Sequence, residues 1–398
     1  MKFSKRWMPA VISPAVVAAV ALNPLQATAV DLPDMTPEEL MVMMQSVSPV
    51  EFSGTILKTS NLGLPALELS SMVSESEIEQ MREKTPEEFA DFVPEVLENN
   101  ALTEAMELIA GEHRIRVFVG ETGVRSQILD PMAQRDFIAN ESMVWVYDSR
   151  EQTAVFAEID QSMAEAGKEE AALKLDEYAA EIGLDLTNPQ AVADYAMAQV
   201  GDSSEITVGI DHYLAGRTAY QLIVTPNSDV SLIESVVISI DSEFGMPLAV
   251  TVNSTVQAEP AMEIGFESIS FEDQQESLFS FDPPAGTTVT DLNELAAEAE
   301  GLDMEMNMTE EEMAELEAKA AEKPEPNVIG EKWDAIVHMP ANGELENSMF
   351  TEGLIAELMT DVEGGKAFTT PLVNVLVTDS GDIYAGAVTL EHLLSVAK

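Results

Sequence analysis

Cysteine is missing from all 398 residues, histidine occurs four times, and Lys and Arg together number 19 against 72 Asp and Glu. Without cysteine there is no disulfide framework, no iron–sulfur cluster, no thiolate metal site, no cysteine nucleophile and no lipidated N-terminal cysteine. His113, His212, His338 and His392 stand far apart, and none has the H-x-x-x-H or H-E-x-x-H spacing that sets ligands for zinc on one helix face. G-x-S-x-G, phosphate-loop and G-x-G-x-x-G patterns are missing as well. Asp303 to Thr309 opens like a calcium loop, but Met308 stands at the glycine position and Ala314 at the closing glutamate position. Met304, Met306 and Met308 present thioethers of the kind that suit Cu(I), yet they read more simply as a loop capped by Thr309. The expectation is a protein with no metal, no cofactor and no catalytic residue.

The shortage of cations leaves a formal charge of -53. Nucleic acid is thereby excluded as a partner, because phosphate binding needs clustered Lys and Arg to displace counterions. Adsorption to an anionic bilayer surface is opposed for the same reason. Hydrophobic residues still make up 46% of the chain, enough for folded cores rather than disorder, and the length suggests two folded units. The acids run through the whole sequence instead of one tail. Adaptation to salt, which shortens the reach of self-repulsion below the ~8 Å Debye length of physiological medium, accounts for this better than a cationic partner.

Long apolar runs are confined to the N-terminus. Lys2, Lys5 and Arg6 precede an apolar stretch from Val11 to Leu22, and Ala27-Thr28-Ala29 supplies a small-x-small cleavage site. About 12 apolar residues interrupted by Pro14 fall short of the ~20 needed to span a bilayer, so a signal peptide is expected over residues 1–29. The mature chain is expected to be exported, periplasmic or extracellular, and soluble after cleavage near Ala29.

Thr36-Pro37-Glu38-Glu39 reads as a helix start, with a threonine N-cap, proline at the first position and Glu39 closing a capping box. The first strand is expected from Phe52 to Leu57, and an acidic helical region from Leu67 to Ala110. Alternating strands follow over His113 to Val119, Val124 to Leu129, Gln134 to Asn140, Met143 to Asp148 and Thr153 to Ile159. Ser162 to Gln199 returns to helix. Strands resume at Glu205 to Tyr213, Thr218 to Thr225, Ser235 to Asp241, Pro247 to Ser254, Ala261 to Phe271 and Leu278 to Phe281, with hairpin turns at Ala215-Gly216 and Glu243-Phe244-Gly245. So many antiparallel strands in one unit, with two helical insertions, suggest an α+β fold: a large curved sheet with helices on one face. Residues 291–326 read as an acidic helical linker, and 327–398 as a small α/β C-terminal domain with a helix near Ser348 to Thr360 and another at the terminus.

Three stretches, in order, resemble the bacterial lipoprotein-carrier family, which includes LolA-like proteins and the related sensor domain of RseB and MucB. Asn140-Glu141-Ser142-Met143-Val144-Trp145-Val146-Tyr147-Asp148 is similar to the family's hairpin D-G-K-x-x-W-x-Y-D/N. Arg217 to Pro226 is similar to its strand ending in L-T-P, and Leu278 to Val289 to its closing F-x-F-x-P-P-x-G-x-x-V. The resemblance covers residues 36–290. It implies an unclosed antiparallel β half-barrel over residues 30–290, with a helical lid above an apolar cavity that receives acyl chains.

Cavity candidates are Met143, Trp145 and Tyr147, which share one face of their strand, and the later same-face pairs Tyr220 and Leu222, Ile238 and Ile240, Leu248 and Val250, and Ile264 and Phe266. Phe279 and Phe281 from the closing motif join them. For any one residue, packed core beneath the helices is the simpler reading. The family carrier has an arginine in a K-R-P motif that holds its lid, whereas Val117-Phe118-Val119-Gly120-Glu121 has none; nearby Arg125 is the candidate lid contact, with a surface ion pair to one of the many acids as the simpler reading. The implied function is non-catalytic binding of lipid or lipoprotein acyl chains by a carrier, expected to be a monomer. The alternative is an RseB-like envelope-stress sensor that acts on a membrane-bound regulator of the anti-sigma kind through its C-terminal domain. An extracellular hydrolase has no supporting motif.

Overall fold

The computed structural model describes residues 30–46, 51–63, 111–130, 133–159, 195, 198, 200–293, 326–341 and 358–398. The signal peptide, the whole first helical insertion, the second apart from residues 195 and 198, the linker helix after residue 293 and most of the helix near Ser348 lie outside the described residues.

The first described element is α1 (Pro37–Gln45), and its start follows the local sequence. Thr36 Oγ1 accepts from the Glu39 amide, the Glu39 carboxylate accepts from the Thr36 amide at 2.8 Å, and Pro37 occupies the first turn. The first half of the sheet comprises β1 (Phe52–Ser60), β2 (Gly111–Val119), β3 (Gly123–Asp130), β4 (Ala133–Asn140), β5 (Met143–Asp148) and β6 (Thr153–Glu158). The second half comprises β7 (Ser204–Val208), β8 (His212–Leu214), β9 (Arg217–Pro226), β10 (Ile233–Asp241), β11 (Pro247–Ser254), β12 (Met262–Ser270) and β13 (Thr288–Asp291).

Two antiparallel meanders, β2 to β6 and β9 to β12, meet at β1, which pairs with β2 on one side and β12 on the other. The path runs β13-β6-β5-β4-β3-β2-β1-β12-β11-β10-β9-β7, with β8 also paired to β9, and its two ends do not pair with each other. The result is an open sheet. Its hairpins use the expected chemistry. Ala215 and Gly216 both take positive φ, as a tight two-residue turn requires, and the Asn140 side chain accepts from the Ser142 and Met143 amides.

Two strands differ from expectation. Glu205 to Tyr213 is broken into β7 and β8 at Gly209, where an added Cβ would lie 2.7 Å from the Gln221 side chain. Leu278 to Phe281 is no strand. Its backbone makes a 3-10 turn over Glu276–Phe279, and the pairing passes to β13, which runs parallel to β6 in an otherwise antiparallel sheet.

The C-terminal residues form a second sheet from β14 (Asn327–Ile329), β15 (Ile336–Met339), β16 (Thr360–Val362), β17 (Gly365–Thr369), β18 (Asn374–Thr378) and β19 (Ile383–Gly386), followed by α2 (Leu390–Val396). All its pairs are antiparallel, in the order β14-β15-β19-β18-β17-β16. Leu393 of α2 packs with Ile336, Ala367 and Leu376. Hydrogen bonds tie the two sheets together. The Leu232 amide donates to Ala387 O at 2.8 Å, the Thr389 amide to Val230 O at 2.7 Å, and Ser254 Oγ to Pro371 O at 2.6 Å. Among the described residues no helix is long and apolar enough to cross a membrane.

Candidate functional site

Residues paired across neighbouring strands put their side chains on the same face of a sheet, so the register sorts the candidates. Tyr220 pairs with Ile240, and Leu222 with Ile238, which pairs with Val250 and so with Ile264. Phe266 pairs with Ile56 beyond a bulge, and Leu248 alternates with Val250. These eight candidates therefore share one face. Leu40 of α1 is buried against it, in contact with a cluster that includes Tyr220, Leu222, Ile238, Ile240 and Val250.

The same face continues past β1. One row runs Val117, Ser126, Phe137, Val146 and Val155, and the next runs Val119, Val124, Ala139, Val144 and Ala157. Here the apolar side chains are not all covered: Val124 is 40% exposed, Phe137 41% and Val146 50%. Single exposed apolar residues mean little, but three on adjacent strands of one apolar face make a patch.

Met143, Trp145 and Tyr147 fall on the opposite face. Trp145 pairs with Ile138, Ile138 with Arg125, and Arg125 with Phe118, all one residue out of step with the Phe137 row. Over this face runs the segment that links β12 to β13. Phe281 lies 5.4 Å from the Trp145 ring and 5.2 Å from Tyr147, while Trp145 stacks on Phe156 at 4.7 Å. Phe279 is buried against Gly120 and Gly123, where an added Cβ would come within 2.4 and 2.8 Å of it. Asn140 Nδ2 donates to Phe279 O at 2.8 Å. The structure thus separates the candidates into an α1-face set and a strap set, with Phe279 and Phe281 in the second.

Arg125 belongs to the strap as well. Its guanidinium grips Asp136, Nη2 to Oδ2 at 3.1 Å and Nε to Oδ1 at 3.3 Å, and donates to Leu278 O at 3.3 Å. The Asp136 side chain is only 1% exposed, so this is a buried ion pair and not a surface contact. Its expected partner, the helical lid, lies outside the described residues. A second buried pair, Arg217 with Asp241 at 2.7 Å, is also on the face away from α1, and there Arg217 sits over the rings of Phe244 and Phe271.

Sequence reasoning passed over Lys58. It alternates with Ile56 on the α1 face, opposite His113 on β2 and Ile264 on β12, and is 6% exposed. Burial pushes its ammonium down from 10.5 to about 8. The stability sign follows from the unfolded chain holding this proton more tightly. Below pH 8 both states are protonated and the full cost of the buried charge is present; between pH 8 and 10.5 that cost disappears as pH rises. Lys58→Met is therefore expected to raise the unfolding free energy at pH 7 by on the order of 2 kcal/mol, with the gap closing above pH 10.5. Urea denaturation of both proteins at pH 7 and pH 10.5 checks this, and a constant gap would refute it. Among the described residues no group of three His, Asp or Glu side chains is placed to hold a metal ion.

No family model and no curated protein matches the chain. Among solved structures 51 chains match. The chain is similar to the MucA/MucB complex of Pseudomonas aeruginosa at 12% identity, covering 91% of this chain and 96% of that one, with a TM-score of 0.39. It is similar to a LolA superfamily protein from Nitrosomonas europaea at 10% identity, covering 63% and 99%, with a TM-score of 0.21. A putative outer membrane lipoprotein-sorting protein domain from Vibrio parahaemolyticus matches at 10% identity over 61% and 95%, with a TM-score of 0.18.

Proposed function

We propose that the protein binds lipid or lipoprotein acyl chains on the α1 face of the large sheet, as an exported, non-catalytic carrier. One observation carries this reading: the apolar face that is buried under α1 at β9 to β11 continues, partly exposed, to Val124, Phe137 and Val146. Burying a CH₂ group yields ~0.8 kcal/mol, so a long chain wholly engulfed would gain on the order of 10 kcal/mol. A half-open face gains less, and that suits a protein that must also let its cargo go.

A second reading, a sensor that acts on a membrane-bound regulator, is favoured by the bonds between the sheets. Leu232 leads into β10 and Ser254 ends β11; both strands belong to the α1 face, and these two residues bond to Ala387 and Pro371, which flank strands of the second sheet. A shift of β10 or β11 around a ligand would be felt there.

Native mass spectrometry of the purified mature protein, followed by lipid extraction, tests the shared claim. Near one bound acyl species per chain is expected, at least tenfold reduced in Phe137→Asp and unchanged in Trp145→Ala. A wild-type protein that stays ligand-free when offered lipids and acylated peptides would end the acyl-binding reading.

A further inference from the structure

The stretch that leads into α1 is tied down at one residue. The Val30 amide donates to Asp211 O at 3.4 Å and the Leu32 amide to Asp211 Oδ2 at 3.2 Å, so both the main chain and the carboxylate of Asp211 face this stretch. Leu32 and Met35 pack against the same core cluster as Leu40 of α1. Asp211 lies in the loop between β7 and β8, and its charge reaches two buried neighbours: burial and then Asp211 raise the Tyr220 phenol, while burial lowers His212 against the Ile210 backbone and Asp211. Among the described residues no ion pair includes Asp211. Hydrolysis of the Ala29–Val30 bond, the cleavage expected for the signal peptide, supplies a cation at this place. Water adds across the bond, the new Ala29 carboxyl gives up its proton, and the Val30 amine takes one up, since an α-amino group titrates near ~7.7–8.0. A nitrogen that had a single proton for Asp211 O then has three, and carries a positive charge two residues from the amide that meets Asp211 Oδ2.

We propose that Asp211 is the receptor for the N-terminal ammonium of the processed chain, so that removal of the signal peptide completes the seating of α1 on its face. The inference rests on cleavage after Ala29 and stands apart from acyl binding. Precursor and mature chain then differ in more than length: only the mature one has the charge that pairs with Asp211. The titratable groups around Asp211 are His212 on β8 and Tyr220 on β9, with Asp31 and Asp34 on the N-terminal stretch itself, and none of them is a competing cation from pH 8 upward. A folded-state pKa above the unfolded one means that the contribution is full at pH 7 and disappears as pH rises past the raised value.

Mass spectrometry of the exported chain reads its N-terminus, and peptide mapping then follows the rate at which an amine-reactive acyl probe labels Val30 from pH 6 to 10. Labelling tracks the free amine. At pH 7 it is expected to be about tenfold slower in the wild type than in Asp211→Asn, with the two rates converging by about pH 10. Should Asp211→Asn not fold, a chain with Gly-Ser added before Val30 serves in its place, because its ammonium is displaced by two residues while Asp211 is untouched. That chain should label like a free α-amino group, and its α1 amides should exchange with solvent about threefold faster at pH 7 than those of the wild type. Equal labelling of the wild type and the variants at pH 7 overturns the proposal. So does a wild-type rate that stays low at pH 10, which would mean steric cover alone, or an exported chain that begins at a residue other than Val30.

Discussion

Arg125→Met is expected to cost about 3–5 kcal/mol of stability, because it strands the Asp136 carboxylate in a site that water does not reach. Replacing both partners is expected to be far milder. In the double variant Arg125→Met, Asp136→Leu no charge is left behind, and buried pairs exchanged for apolar side chains of similar volume are often neutral. The two variants separate a strap anchor from a lid contact: if Arg125 served mainly a helix elsewhere, removing Asp136 as well would not restore stability. Urea midpoints of wild type, single and double variants decide it, and a single variant within 1 kcal/mol of wild type would sink the strap-anchor role.

Phe279→Ala should cost about as much, 3–5 kcal/mol, as a large buried ring truncated where the surroundings cannot close in. Gly120 and Gly123 already bring backbone against the ring, so little is left to collapse into the space. Phe281, two residues on, would lose its fixed position over Trp145 and Tyr147. A red shift in Trp145 emission should therefore accompany the loss of stability. An unchanged spectrum together with a loss below 1 kcal/mol would mean that the strap is held by β13 alone.

Most strands were legible because half-buried strands alternate. Met143 to Asp148 and Pro247 to Ser254 have the expected bounds, and α1 starts where Thr36-Pro37-Glu38-Glu39 says it should. The short strands β14, β16 and β17 were missed, since three to five residues hold too few alternations to register. Leu278 to Phe281 misled for the opposite reason: Phe279 and Phe281 alternate like strand residues, but they are held by ring packing and by Asn140, not by a ladder.

The candidate site was half legible. Alternation tells which residues of one strand share a face, but not which faces of two strands coincide, and that depends on pairing register and bulges. Trp145 and Tyr220 each looked inward-facing on their own strands, and the chain of pairs from β5 to β9 sets them on opposite sides. Lys58 was out of reach because the expected first strand stopped at Leu57, one position short of it, whereas the observed β1 runs on to Ser60.

The position of β1 sets the order in which the molecule can be built. Ser53 pairs with Ser270, some two hundred residues later, and β6 gains its outer neighbour only when Thr288 arrives. Closing loops of that size before any contact rewards them makes folding slow, and proteins dominated by distant pairings fold in milliseconds to seconds rather than microseconds. Until residue 270 is present, the β1 to β6 meander has raw edges at both ends and no strap over Trp145. Maturation therefore waits on the second half of the chain, and an interval of unpaired edges, prone to capture by other strands, is built into the topology.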